Sequence, residues 1–257
     1  MARRSRLLVL DGDIFIYRFA WANQYKIHWD EHTVSEVINP LEIAIDEMEK
    51  FIRGIVQKCG CDGYVIALSH ARDFRFRVCS TYQANRQNLV APEHKEALRK
   101  HIEAKHLTIQ YDWLEADDVL GILATKEPGR VIMGTIDKDL RQIPGYLYNW
   151  NLNRRTRITK ADATMFFYCQ ILSGDPTDNI KGVPGIGPKK AAQYLSDLYG
   201  EPEEKLWARV CEIYHKNGLS ESDALKTARL VRILRYDEYD FVRSRPILWR
   251  PPSGSSD

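Results

Sequence analysis

Residues 107–139 read LTIQYDWLEADDVLGILATKEPGRVIMGTIDKD, and this stretch decides the fold. Leu107–Tyr111 has the apolar character of a short buried strand, and Asp117–Thr125 recurs at helical spacing. Arg130–Met133 is a second short apolar run. Strand, helix and strand in that order, with little chain between them, describe one unit of a parallel sheet. Working outward, Leu7–Leu10 and Tyr64–Leu68 are further buried-strand candidates, and Tyr146–Trp150 a fifth. A helix is expected from about Ile14, an amphipathic one over 41–58 and a charged one over 92–105, with Pro92 in its first turn. After Thr159 the apolar residues keep helical spacing between Gly- and Pro-rich turns. The expectation is therefore an α/β domain over 1–158 with a mostly parallel sheet flanked by helices. A helical region over 159–252 and a disordered tail over 253–257 complete the chain.

Composition narrows the function classes. The chain has 257 residues, 44% of them hydrophobic, with six Trp, thirteen Tyr and eight Phe, which excludes disorder as its main state. No apolar run approaches the roughly 20 residues of a membrane span, and Leu7–Leu10 is too short for a signal sequence, so a cytoplasmic location is expected. The five cysteines, at 59, 61, 79, 169 and 211, form no CxxC pair and read as reduced thiols. Net charge is only +2, yet the signs are segregated. Basic side chains gather between Arg72 and Lys105 and between Lys226 and Arg250, whereas acids cluster at the ends of apolar runs.

Those acids fall where open parallel sheets bind ligands, beyond the C-terminal ends of strands. Asp11 and Asp13 follow the first strand, Glu115, Asp117 and Asp118 the third, and Asp137 and Asp139 the fourth. Asp175 and Asp178 come from the helical region. Each acid alone is equally a helix cap or turn residue. Together they cannot all stay ionised in one crevice without cations. An all-oxygen donor set without Cys or His favours Mg²⁺ or Mn²⁺. Two such ions about 4 Å apart would clamp the attacking and leaving oxygens of a phosphodiester.

Gly182-Val-Pro-Gly-Ile-Gly-Pro-Lys-Lys190 is a Gly-rich turn opening a helix. Gly185 and Gly187 allow close backbone approach to a phosphate, and Lys189 and Lys190 add charge without reading sequence. The bland reading is a plain helix–helix turn. In the basic stretch, Arg75, Tyr82 and Arg86 are candidate DNA contacts, while Phe74 and Phe76 either stack on bases or fill the core. Arg18 lies seven residues beyond Asp11, placed to hold a terminal phosphate.

Asp11-Gly-Asp13, Glu115-Ala-Asp-Asp118, Ile136-Asp-Lys-Asp139 and Gly174-Asp-Pro-Thr-Asp-Asn179, followed by Gly182-Val-Pro-Gly-Ile-Gly187, resemble the 5′-nuclease (flap endonuclease) superfamily, in the family's order and over about residues 7–195. The C-terminal segment 228–251 is similar to that of the small stand-alone phage 5′→3′ exonucleases. The resemblance implies a PIN-like (Rossmann-like) domain with a helix–three-turn–helix element, and Mg²⁺-dependent hydrolysis of DNA at 5′ ends, flaps, nicks and single strands, in phage-type replication. It also implies two Mg²⁺ ions, with Mn²⁺ able to substitute, and K⁺ at the helix–three-turn–helix. Carried over by position, Asp11, Glu115, Asp117 and Asp118 hold the first metal with Asp137 near it. Asp139, Asp175 and Asp178 serve the second. Arg18 and Arg86 touch substrate phosphates. Asp11, Arg18, Arg86, Asp118 and Asp137 form the expected catalytic set, so Asp118→Asn is expected to abolish cleavage. A monomer is expected, with RNA primers in RNA–DNA duplex as further substrates.

Two positions depart from the family pattern. An aspartate usual after the second strand is replaced in Ser69-His-Ala-Arg-Asp-Phe-Arg75, and Gln83 stands where a lysine is usual. These departures leave a catalytically impaired binder of branched DNA as one alternative, and a PIN-type ribonuclease as another. The intact acids argue against the first and the Gly182–Lys190 turn against the second.

Overall fold

The computed structural model describes residues 6–30, 33–86 and 89–252, so the expected tail at 253–257 lies outside the described residues. Strand β1 (Leu7–Asp11) leads into α1 (Gly12–Ala22), the hairpin β2 (Gln24–His28) and β3 (Val34–Ile38), α2 (Leu41–Cys59) and β4 (Gly63–Ala67). There follow α3 (Arg75–Val78), α4 (Lys95–Lys105), β5 (Thr108–Ile109), α5 (Ala116–Lys126), β6 (Val131–Gly134), β7 (Gly145–Asn149) and β8 (Arg154–Ile158). The remainder comprises α6 (Lys160–Ser173), the two-residue strands β9 (Gly174–Asp175) and β10 (Ile180–Lys181), α7 (Pro188–Leu195), α8 (Glu203–Lys216), α9 (Glu221–Val231), and a closing hairpin of β11 (Tyr239–Asp240) and β12 (Arg245–Pro246).

Six strands form the main sheet in the order β5–β4–β1–β6–β7–β8, parallel throughout except for β8. The strand alternation explains the two-sided core. Leu8 and Leu10 point to one face, against Phe15, Met48, Ile52 and Leu98 from α1, α2 and α4. Val9 points to the other, against Val119, Leu120 and Ile122 of α5. Burial on both faces is why these strands read as unbroken apolar runs. The chain builds outward from β1 through β4 to β5, then returns to β6 on the opposite side. The order thus reverses at β1, and the crevice beyond its C-terminal end is the switch point of the sheet.

Helices α6–α9 enclose a third core that includes Phe167, Ile171, Leu206, Trp207 and Tyr214. The expected division at 158/159 needs one correction. Ile233, Leu234 and Tyr239 return to the α/β core against α5, because their apolar side chains complete the face that Val9 and Leu120 leave uncovered. Among the described residues, no helix is long and apolar enough to cross a membrane.

Candidate active site

Three elements end at the switch point. Asp11 closes β1 and caps α1, its Oδ1 accepting from the Ile14 amide at 3.4 Å and its Oδ2 from the Thr135 hydroxyl at 3.1 Å. Between Asp11 and Asp13, a side chain at Gly12 would collide with Ile66 and the Ala67 carbonyl, so only glycine lets α1 start this close to β4. Glu115 precedes α5, and Asp117 and Asp118 lie in its first turn, where the helix dipole favours carboxylates. Beyond β6, the Thr135 hydroxyl accepts from the Asp137 amide at 3.0 Å, and Asp137 accepts from the Asp139 amide at 2.7 Å. Gln170 of α6 donates to Asp139 at 2.8 Å, tying the helical region to the sheet.

The helical region adds Asp175 and Asp178 through the β9–β10 turn. Gly174 and Gly182 stand back to back there, each filling the space a side chain on the other would need. Glu115, Asp117, Asp139, Asp175 and Asp178 all line one cleft with Gln170. Glu115 also borders an adjoining, larger cleft lined by Asp13, Arg18, Gln83, Arg86, Lys95 and Arg99. An acidic floor therefore meets a cationic approach at Glu115.

Electrostatics mark the floor as charge-frustrated. Burial, reinforced by Asp13, pushes the Asp11 carboxyl up to about 7. Burial pushes Glu115 up to about 8 despite the opposing Arg75, and burial with Asp137 pushes Asp139 up to about 7. Asp117 is raised well above the usual carboxylate range, by burial and then by Asp11 and Asp137, and its Oδ1 is buried without a hydrogen-bond partner. A buried oxygen left without a donor is what a cation site requires of its ligand.

Asp118 behaves differently and corrects the expectation for it. Its carboxylate accepts from Arg75 at 2.7 and 2.9 Å, from the Leu234 amide at 3.0 Å and from the Glu115 amide at 3.3 Å. Those four donors use the roughly four lone-pair sites of a carboxylate, and the residue is 0% exposed. Asp118 is thus closed on Arg75 and the start of α5 and does not line the cleft that Glu115 and Asp117 share. The expectation of Arg75 on DNA is likewise corrected. It is 3% exposed and is also held by the Leu230 and Arg232 carbonyls, at 2.9 and 2.7 Å. Tyr82, another expected DNA contact, is buried and donates to Glu115 at 3.0 Å, because its ring fills the helical core. Phe74 joins the sheet core, while Phe76 stays half-exposed.

The remaining expected contacts face outward. Arg18 is exposed, with its guanidinium over the Phe51 ring and 3.2 Å from Asn151 Oδ1. Arg86 pairs with Asp178 at 2.7 Å. Gly185, Gly187, Lys189 and Lys190 are exposed at the turn entering α7, whose first residue is Pro188. Sequence reasoning missed Thr135 and Gln170 as supports of the acids, while Lys95 and Arg99, which belong to the basic stretch, line the larger cleft together with Arg86. For Thr135 the signal available was its placement just beyond β6; Gln170, inside α6, carried none.

Residues 6–165 match the family described as 5′-3′ exonuclease, N-terminal resolvase-like domain. The chain belongs to the 5′-3′ exonuclease family. It is 26% identical to the exonuclease of Escherichia phage T7 over 95% of this chain and 93% of that one. With the exodeoxyribonuclease of Enterobacteria phage T3 it shares 26% over 96% and 93%. A zinc-bound phage T5 5′-exonuclease has the same fold, with a TM-score of 0.62 at 17% identity over 88% of this chain and 89% of that one.

Set against the family pattern, the two departures have clear structural outcomes. His70 lines the larger cleft with Asp13 and Glu115, its Nδ1 accepting from the Arg72 and Trp113 amides at 3.2 Å. Asp73 is drawn into the Arg75 ion pair. Ser69 lies two residues beyond the end of β4, and Asp13 leans on it from α1, which keeps a carboxylate at that edge of the cleft. Gln83 donates to Glu115 at 3.2 Å and to Asp178 at 3.0 Å, bridging the two groups of acids without a charge.

The raised carboxyls fix the sign of the pH dependence. In the unfolded chain these groups lose their protons near pH 4, whereas the native chain keeps them to about 7 or 8. Between those limits the native state binds more protons, so stability falls as pH rises, by up to about 1.4 kcal/mol per pH unit for each such group. The thermal midpoint of the metal-free chain should fall from pH 5 to pH 8, and Mg²⁺ should restore it most at pH 8. Circular dichroism melts with EDTA or Mg²⁺ check this; a flat profile contradicts it.

Proposed function

We propose that the chain is a Mg²⁺-dependent 5′→3′ exonuclease and flap endonuclease of phage-type DNA replication, hydrolysing DNA phosphodiesters by structure rather than sequence. The observation that carries this reading is Asp117, a buried carboxylate with an unpartnered oxygen and with Asp11, Glu115 and Asp137 around it. The donors are all oxygen, which fits Mg²⁺ or Mn²⁺. Asp11, Glu115, Asp117 and Asp137 would hold one ion, and Asp139, Asp175 and Asp178 a second. Such ions supply charge neutralisation and an activated water.

The protein's own residues do the rest. Thr135 and Gln170 fix the carboxylates so that little reorganisation is needed. Arg18 and Arg86 hold the phosphate in the larger cleft, which Lys95 and Arg99 also line. Gly185–Lys190 grips the sugar-phosphate backbone some distance along the same strand, and K⁺ at this turn belongs to the same reading. Replacing Lys189 and Lys190 together by alanine should weaken binding equally on unrelated sequences and lower the salt slope by about 2. Fluorescence anisotropy between roughly 50 and 200 mM salt checks it. An unchanged slope removes the turn from the interface.

The activity itself is tested with end-labelled flap, nicked and single-stranded DNA, in Mg²⁺, Mn²⁺ or EDTA, with product sizing. Metal-dependent release from 5′ ends and flaps is expected. Tight binding without product under either metal would favour the impaired binder, for which the neutral Gln83 is the supporting observation. Preference for RNA over DNA flaps in competition would favour a ribonuclease.

A further inference from the structure

Glu49 of α2 and His101 and His106 at the C-terminal end of α4 form a second cluster of metal-ligating side chains, none of which lines the two clefts. We infer that these three residues form a separate transition-metal centre, of the Zn²⁺ class, clipping α2 to α4. Both imidazoles aim Nε2 at the same Glu49 Oε1, at 2.9 Å from His101 and 2.8 Å from His106. Around a tetrahedral ion with bonds of about 2.0–2.1 Å, neighbouring ligand atoms lie roughly 3.3 Å apart. Opening these contacts by about half an ångström therefore brings them to the spacing such an ion needs.

The outer partners are also in place. Tyr64 Oη is 2.9 Å from His106 Nδ1, so with Nδ1–H donating to the tyrosine oxygen, Nε2 presents its lone pair to the cluster. The His106 and Glu49 side chains are 5% and 13% exposed and His101 25%, leaving an entry path past His101. Arg53 reaches Glu49 Oε2 at 3.5 Å but is itself 57% exposed and free to swing outward. Two nitrogens and one carboxylate suit Zn²⁺ or Co²⁺ and not Mg²⁺, which separates this centre chemically from the all-oxygen cleft. Three protein ligands leave the fourth position to water. The alternative is a hydrogen-bonded polar knot that binds no metal.

The two are distinguished by titrating the EDTA-treated, dialysed chain with Co²⁺ in excess Mg²⁺, which occupies carboxylate sites. Visible absorption should show one equivalent of a four- or five-coordinate, nitrogen-ligated ion, displaced by Zn²⁺. His101→Ala and Glu49→Gln should weaken Co²⁺ binding on the order of 100-fold or more, since loss even of outer partners costs 10–100-fold. Zn²⁺ should raise the melting midpoint of the parent chain and not that of His101→Ala. Weak six-coordinate spectra in the parent chain, or equal affinity in His101→Ala, would overturn the proposal. Flap cleavage in Mg²⁺ reports on the cleft independently.

Discussion

Asp117→Asn abolishes cleavage and leaves the metal-free protein at least as stable as the parent. Both halves of that expected result come from one observation. The Asp117 carboxyl is raised by burial and by Asp11 and Asp137, and its Oδ1 has no donor. An amide of the same shape removes the repulsion at neutral pH, so the metal-free melting midpoint should hold or rise. The same change removes a ligand charge where the metal is needed. Turnover should fall on the order of 10³-fold or more, about 4 kcal/mol of transition-state stabilisation. Single-turnover cleavage of a labelled flap, paired with a melt in EDTA, measures both. A large loss of metal-free stability would show that Asp117 has a structural partner instead.

Asp118→Ala should do the reverse. Asp118 is fully buried and bidentate with Arg75, which also holds the Leu230 and Arg232 carbonyls. Removing one partner of a buried pair leaves the other charge without its main compensation, at a cost of about 3 kcal/mol. Asp73 and Glu115, at 3.4 and 3.3 Å from Arg75, limit the loss to the lower end of that class. For a chain of this size the melting midpoint should drop by roughly 6–12 °C. Well below that midpoint the variant should keep metal-dependent cleavage within about 100-fold of the parent, as for loss of an outer-shell partner. Stability equal to the parent with no cleavage at low temperature would restore Asp118 to the ligand set.

These two neighbours show what was legible in the sequence and what was not. The sheet was legible because β1, β4 and β6 are buried on both faces and so read as apolar runs. The acids were legible because they follow those runs directly. The separate roles of Asp117 and Asp118 were not, since the partner of Asp118 is 43 residues away and Arg75 sits in a stretch that reads as solvent-facing and basic. The carbonyls that complete the Arg75 site lie 155 and 157 residues further along, beyond any local pattern. Hairpin β2–β3 was missed for another reason. Among its residues only Gln24, Ile27 and Val37 are even partly buried, so no face alternates clearly. The Glu49–His101–His106 cluster joins two helices 52 and 57 residues apart and carries no sequence motif.

The claim on which the rest depends is that carboxylates from β1, α5 and the β6 loop gather around divalent ions. Crystals grown in Mn²⁺ and measured near the manganese edge test it without reference to catalysis. An anomalous peak among Asp11, Asp117 and Asp137, with Asp118 still closed on Arg75, is the result expected. A cleft without manganese while those carboxylates remain buried together would contradict it.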